Sequence, residues 1–195
     1  MKYFKLNPNV SSKKWKGYLN PQAKIFDDTG AISLTSLFDS KSRITKDLFY
    51  KPLTNGAFPP VNTIGSQFIT FDQDIENISC LDNSGVQLLP IRNTETQHSY
   101  LLMHIYTHID CIEWNLSKID PWPANYIPEE WESKRARFFI DPVIISEKIP
   151  LNLSAFRLSG WEDAFNIVIT DKMRNKILSL DFDHSFLEFH ELTVI

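Results

Sequence analysis

The sequence predicts an α+β fold, mainly antiparallel strands with a few short helices, in one unit spanning residues 1–195. Three observations lead there. Residues 99–114 alternate in polarity along most of their length, which is the two-residue period of a strand. Short runs rich in Val, Ile and Phe recur at 86–91, 138–149, 166–169 and 185–194, separated by Gly, Pro, Asn and Asp. Apolar residues spaced by three or four are confined to short stretches, so helices are few and brief. A chain of 195 residues with 43% hydrophobic content has ample material for a packed core.

In order, Tyr3, Lys5 and Asn7 alternate with Phe4 and Leu6, a short first strand. Residues 8–28 read as a loop or irregular arm that Trp15, Tyr18, Ile25 and Phe26 can pin to the body. Residues 31–50 fit strand or helix equally. Pro52, Gly56, Pro59, Pro60 and Gly65 make 51–65 a connector. Phe68 and Ile69 form an apolar run, after which Thr70 or Asp72 can cap a helix carrying Ile75, Ile78 and Leu81. Residues 82–85 (Asp-Asn-Ser-Gly) stop it, 86–91 return as a strand, and 93–97 turn.

Along 99–114 one parity holds Leu101, Met103, Ile105, Ile109 and Cys111, the expected core face. The other holds Leu102, His104, Tyr106, His108, Asp110 and Trp114, a mixed face. Sixteen residues is long for one strand, so a bend is expected near 107–110. Pro121, Pro123 and Pro128 make 120–128 a loop, residues 129–137 read as a short helix, and Pro142 breaks the apolar run 138–149. Asn166 to Ile169 read as a strand, Thr170 or Asp171 caps a helix with Met173, Ile177 and Leu178, and 185–194 closes as a strand. The order strand, Thr, helix, Leu-Asp, strand thus occurs twice, and either a duplicated unit or two ordinary units accounts for it.

Charge and composition exclude several classes. A net charge of −4 argues against nucleic acid as a partner, and the basic clusters Lys13, Lys14, Lys16 and Lys134, Arg135, Arg137 are short enough to be solvated edges. Two cysteines, Cys80 and Cys111, are too few for a disulfide framework or a zinc site and read as buried free thiols. No signal-peptide core and no run of roughly 20 apolar residues occurs, so the expectation is a cytoplasmic protein with no membrane partner. Six glycines without a phosphate-loop pattern, and no Gly-x-Ser-x-Gly elbow, leave no common nucleotide or hydrolase motif.

Two constellations remain. His104, His108 and Asp110 could serve a small metal-dependent enzyme. On a strand, however, four residues span about 13 Å, too far for His104 and His108 to share one ion at ligand distances of about 2 Å. The second is the proline-bound segment holding Trp122, Tyr126 and Trp131, with Glu129, Glu130 and Glu132 beside them. Large rings on a pre-ordered backbone suit a protein interface, and an acidic rim suits fast capture of a basic partner. The same tryptophans would equally serve to anchor the loop to the core.

From Phe156-Arg157-Leu158-Ser159-Gly160 through Ile167-Val168-Ile169-Thr170-Asp171-Lys172-Met173 to Phe186-Leu187-Glu188-Phe189, the chain resembles the eleventh immunity family of bacterial polymorphic toxin systems. Phe68-Ile69-Thr70, Gly85 to Ile91, Tyr100 to Ile105 and Asp110 to Ser117 follow in that family's order. The resemblance covers residues 55–195, with 1–54 weakly matched. The chain departs from the family at Asp181-Phe182-Asp183-His184, where a Gly-containing turn is usual. The resemblance implies a non-catalytic antitoxin, without metal or cofactor, that binds and neutralises a cognate toxin domain delivered by contact-dependent or type VI secretion. A metal-dependent enzyme and a plain scaffold subunit stand as alternatives.

Overall fold

The computed structural model describes every residue except 12, 21–23, 34–36, 66, 67, 131 and 164. It is mostly strand, with a nine-residue α-helix and a few 3-10 turns, arranged in curled mixed sheets. The strands are β1 (Tyr3–Pro8), β2 (Lys24–Asp27), β3 (Gly30–Ala31), β4 (Leu48–Lys51), β5 (Val61–Ile64), β6 (Phe68–Asp72), β7 (Val86–Asn93), β8 (Ser99–Ile105) and β9 (His108–Ile109). Then follow β10 (Lys118–Asp120), β11 (Phe138–Asp141), β12 (Val143–Ile144), β13 (Ala155–Leu158), β14 (Val168–Thr170), the helix α1 (Asp171–Ser179), β15 (Leu187–Glu191) and β16 (Thr193–Val194).

Seven strands form one sheet in the order β3-β2-β4-β7-β8-β6-β5, and five form another in the order β15-β1-β14-β13-β9. Pairs β4–β7, β9–β13 and β12–β16 run parallel. Between the two large sheets lies a core of Phe4, Leu6, Ile69, Phe71, Val86, Met103, Ile105 and Ile169, closed by Met173 and Ile177 of α1. Thr170 starts that helix by accepting a bond from the Met173 N–H at 3.3 Å, as its Thr-Asp start predicts. A second core, with Ile25, Leu48, Tyr50, Phe68, Tyr100 and Leu102, fills the other face of the seven-stranded sheet. A third, with Tyr3, Cys111, Phe156, Leu158 and Trp161, backs the five-stranded sheet.

Several elements differ from the sequence reading. The chain after β6 is not an α-helix: Asp72 Oδ1 takes the Asp74 N–H, Asn77 adopts a positive φ of 60°, and only Ile78–Leu81 winds, as a 3-10 turn. The apolar spacing of three at 75, 78 and 81 is the 3-10 period, not the α period. Gly85 then turns at φ +91°, where a Cβ would run into the Ala155 carbonyl. The connector holds the fully buried strand β5, and the N-terminal arm holds β2. That arm is pinned where expected: Trp15 and Tyr18 meet Phe186 edge-on at 5.2 and 5.4 Å, and Ile25 is buried.

The predicted bend falls at Tyr106 and Thr107, between β8 and β9. The chain leaves the seven-stranded sheet after Ile105 and joins the five-stranded one beside Arg157 and Leu158. Because β8 lies between two cores, both its parities are buried, and His104, assigned to a mixed outer face, has no exposed surface at all. Cys111 is buried as expected, whereas Cys80 is only partly so; both are free thiols.

Candidate interaction surface

Strands β10 and β11 form a separate two-stranded hairpin, with Ile119 opposite Phe139 and Asp120 opposite Phe138. Their connection, residues 121–137, is the proline-bound segment singled out above. Its base is closed by the Arg137 N–H on the Asp120 carbonyl at 2.8 Å. Phe139 anchors the hairpin inward against Trp161, ring centroids 5.0 Å apart, and Trp161 in turn stacks on Trp114.

The loop is held by its own side chains. Trp122 stacks on Tyr126 at 4.4 Å with planes 20° apart, and its Nε1–H donates to the Ser133 carbonyl at 2.8 Å. Tyr126 OH donates to Glu132 Oε2 at 2.7 Å, and the same oxygen accepts the Glu129 N–H at 2.8 Å. That shared contact holds the Glu132 carboxyl below its ordinary pKa and raises that of Tyr126. Lys134 Nζ donates to the Pro128 and Glu129 carbonyls. Ser133 Oγ accepts from the Arg135 and Ala136 N–H groups. These side chains take the backbone groups a helix would need, and the described residues of the expected helix 129–137 are turns and bends instead.

Of the predicted contact residues, Trp122, Tyr126, Glu129 and Glu132 converge in this one network. Glu132 is half-buried and bonds within the loop, while Glu129 and Glu130 are exposed. Trp131 lies outside the described residues. The two arginines near the base rest on rings: Arg135 lies 3.8 Å from the Trp114 centroid and Arg137 lies 4.9 Å from that of Phe138.

Sequence reasoning missed the apolar surface that accompanies the loop. Ile127 at its tip is 87% exposed and Tyr126 42%, while Phe138 and Ile140 on the outward parity of β11 are 55% and 40% exposed. The sequence carries no signal for it, because Phe138, Phe139 and Ile140 run consecutively and are equally suited to a core.

His104 and His108 both lie near Arg157, and Asp110 does not join them. His104 is fully buried under residues 37–46, with Nε2–H donating to the Ser42 carbonyl at 3.1 Å, while Asp110 is exposed beyond the crossing between sheets. Among the described residues no three His, Cys, Asp or Glu side chains are placed to hold a metal ion. Burial, with Asp110 adding to it, pushes the Cys111 thiol up to about 12, so it carries no thiolate at neutral pH. No helix among the described residues is long and apolar enough to cross a membrane.

Comparison with known sequences adds no assignment: no family model matches the chain, and no curated protein matches it. The likeness to the immunity family therefore rests on the order and pattern of segments quoted above.

Proposed function

We propose that the chain is an immunity protein that binds a cognate antibacterial toxin domain and neutralises it stoichiometrically, without catalysis. The observation that carries this reading is the 121–137 loop with the outer face of β11. Its backbone is held by the Trp122–Tyr126 stack and the Glu132 contacts, Tyr126 and Ile127 stay exposed close along the chain to Glu129 and Glu130, and Phe138 and Ile140 stay exposed on β11. A preordered loop loses little entropy on binding, and apolar side chains already in water gain by being covered. Exposed carboxylates at the margin favour capture of a basic surface. The partner is a toxin domain encoded beside this chain, and the encounter takes place in the cytoplasm of the cell being protected.

Co-expression of this chain with the C-terminal domain of the neighbouring gene product tests the reading. Restored growth and a one-to-one complex on purification are expected. A toxic domain that kills equally well with and without this chain, and does not co-purify, refutes it.

A further inference from the structure

Residues 37–46 cross the second core as a strap, with Leu37 buried in it and Phe38 and Ile44 packed against it, and polar side chains fasten it. Gln87 Oε1 accepts the Ile44 N–H at 2.7 Å, and Gln87 Nε2 donates to the Ile44 carbonyl at 2.8 Å. Arg43 reaches both oxygens of Asp82 at 3.0 and 2.9 Å, and Lys46 reaches Asp27 at 3.0 Å. Midway, the Ser42 carbonyl accepts from His104 Nε2, which makes Nε2 the protonated nitrogen and leaves Nδ1 as a bare acceptor. Nδ1 is buried with no hydrogen-bond partner among the described residues, and so is His108 Nε2. The Phe38 ring, also on the strap, lies 4.2 Å from the Arg157 guanidinium and edge-on to His108 with centroids 6.0 Å apart. Arg157 is fully buried.

We propose that this strap is an acid-released cover, with His104 as its leading sensor and His108 as the second. A proton added to His104 Nδ1 creates an N–H with no acceptor in a site closed to water, and places a second cation near Arg157. The groups around the two rings decide which leads. His104 faces Arg157 and His108, both unfavourable to its charged form, with the Ser42 carbonyl in its favour. His108 faces Arg157 and Lys41, offset by Asp39 and the Phe38 backbone. Arg43 is already engaged by Asp82 at the margin. Lifting the strap hydrates both rings and lets them charge, so acid favours the open form. Leu37 and Ile44 leave the second core with it.

Burial, with Arg157 adding to it, holds both rings below their ordinary 6.5. A base held low in the closed state stabilises that state above pH 6.5 and loses the contribution as the pH falls through that value toward the depressed one. Between pH 7.5 and 5.5 the opening equilibrium should therefore rise by up to about tenfold for each histidine kept neutral when closed.

Amide hydrogen exchange on the full chain at those two pH values, corrected for intrinsic exchange, reads this directly. The strap, including the Ile44 amide, is expected to lose several-fold in protection at pH 5.5, up to about tenfold per histidine, while amides of the β7–β8 ladder keep theirs. His104→Gln, which keeps an N–H for the Ser42 carbonyl and cannot titrate, should remove most of that pH dependence. Strap protection unchanged by pH, or falling equally in His104→Gln, overturns the proposal. Should that variant fail to fold, imidazole nitrogen NMR of the unmodified protein decides. His104 titrating together with the strap amides supports the switch, and His104 titrating near 6.5 with the strap unmoved overturns it.

Discussion

At the scale of single residues, burial and backbone geometry settle roles that residue type alone leaves open. His104 illustrates this: polarity assigned it to an outer face, whereas its place on a strand with a core on each side buries it completely. Alternation along one strand does not reveal whether a second layer covers the polar parity. Gly85 is the converse case, legible as a turn residue from the run Asp-Asn-Ser-Gly. At φ +91° and with the Ala155 carbonyl where a Cβ would sit, it has no substitute. Gly85→Ala is expected to cost at least about 1–3 kcal/mol, read by urea denaturation. A change under about 0.5 kcal/mol, the range of an ordinary surface substitution, would show that the turn relaxes freely.

At the scale of elements, strands and the capped helix were readable, because Thr170-Asp171 and the apolar runs of β7, β8 and β14 carry local signals. Two expected helices were not formed. At 73–81 the three-residue spacing belongs to a 3-10 turn, and at 129–137 Lys134, Ser133 and Glu132 compete for the backbone groups a helix would use. Strand β5 was hidden by the prolines and glycines around it, since Val61, Asn62, Thr63 and Ile64 show no alternation although all four are buried beside β6. The loop's order depends on Trp122, whose stack and bond to Ser133 hold its two limbs together. Trp122→Ala is expected to speed tryptic cleavage at Lys134, Arg135 and Arg137 several-fold, while lowering the melting temperature by only about 2–4 °C, the shift for roughly 1 kcal/mol in a chain of this size. Unchanged cleavage would show that the loop is ordered by something else.

At the scale of the molecule, two sheets share a core, the strap covers one outer face, and the β10–β11 hairpin with its loop leaves apolar side chains in water. The aromatic and acidic residues of that surface were legible from composition and proline spacing. The apolar parity of β11 was not, because only the hairpin's position apart from the two large sheets shows that Phe138 and Ile140 face outward. If Glu129 and Glu130 steer a basic partner, the double variant Glu129→Gln, Glu130→Gln should bind it several-fold more slowly at low salt, with the difference shrinking at high salt. Equal association rates at both salt concentrations would remove the acidic rim from the account. The most direct test of the central claim is calorimetric titration of the neighbouring toxin domain with this chain and with a folded Ile127→Asp, Phe138→Asp variant. A tight one-to-one complex is expected for the natural chain and at least about a hundredfold weaker binding for the variant, as for loss of hot-spot contacts worth about 3 kcal/mol. Absence of binding by the natural chain, or equal binding by both, would contradict it.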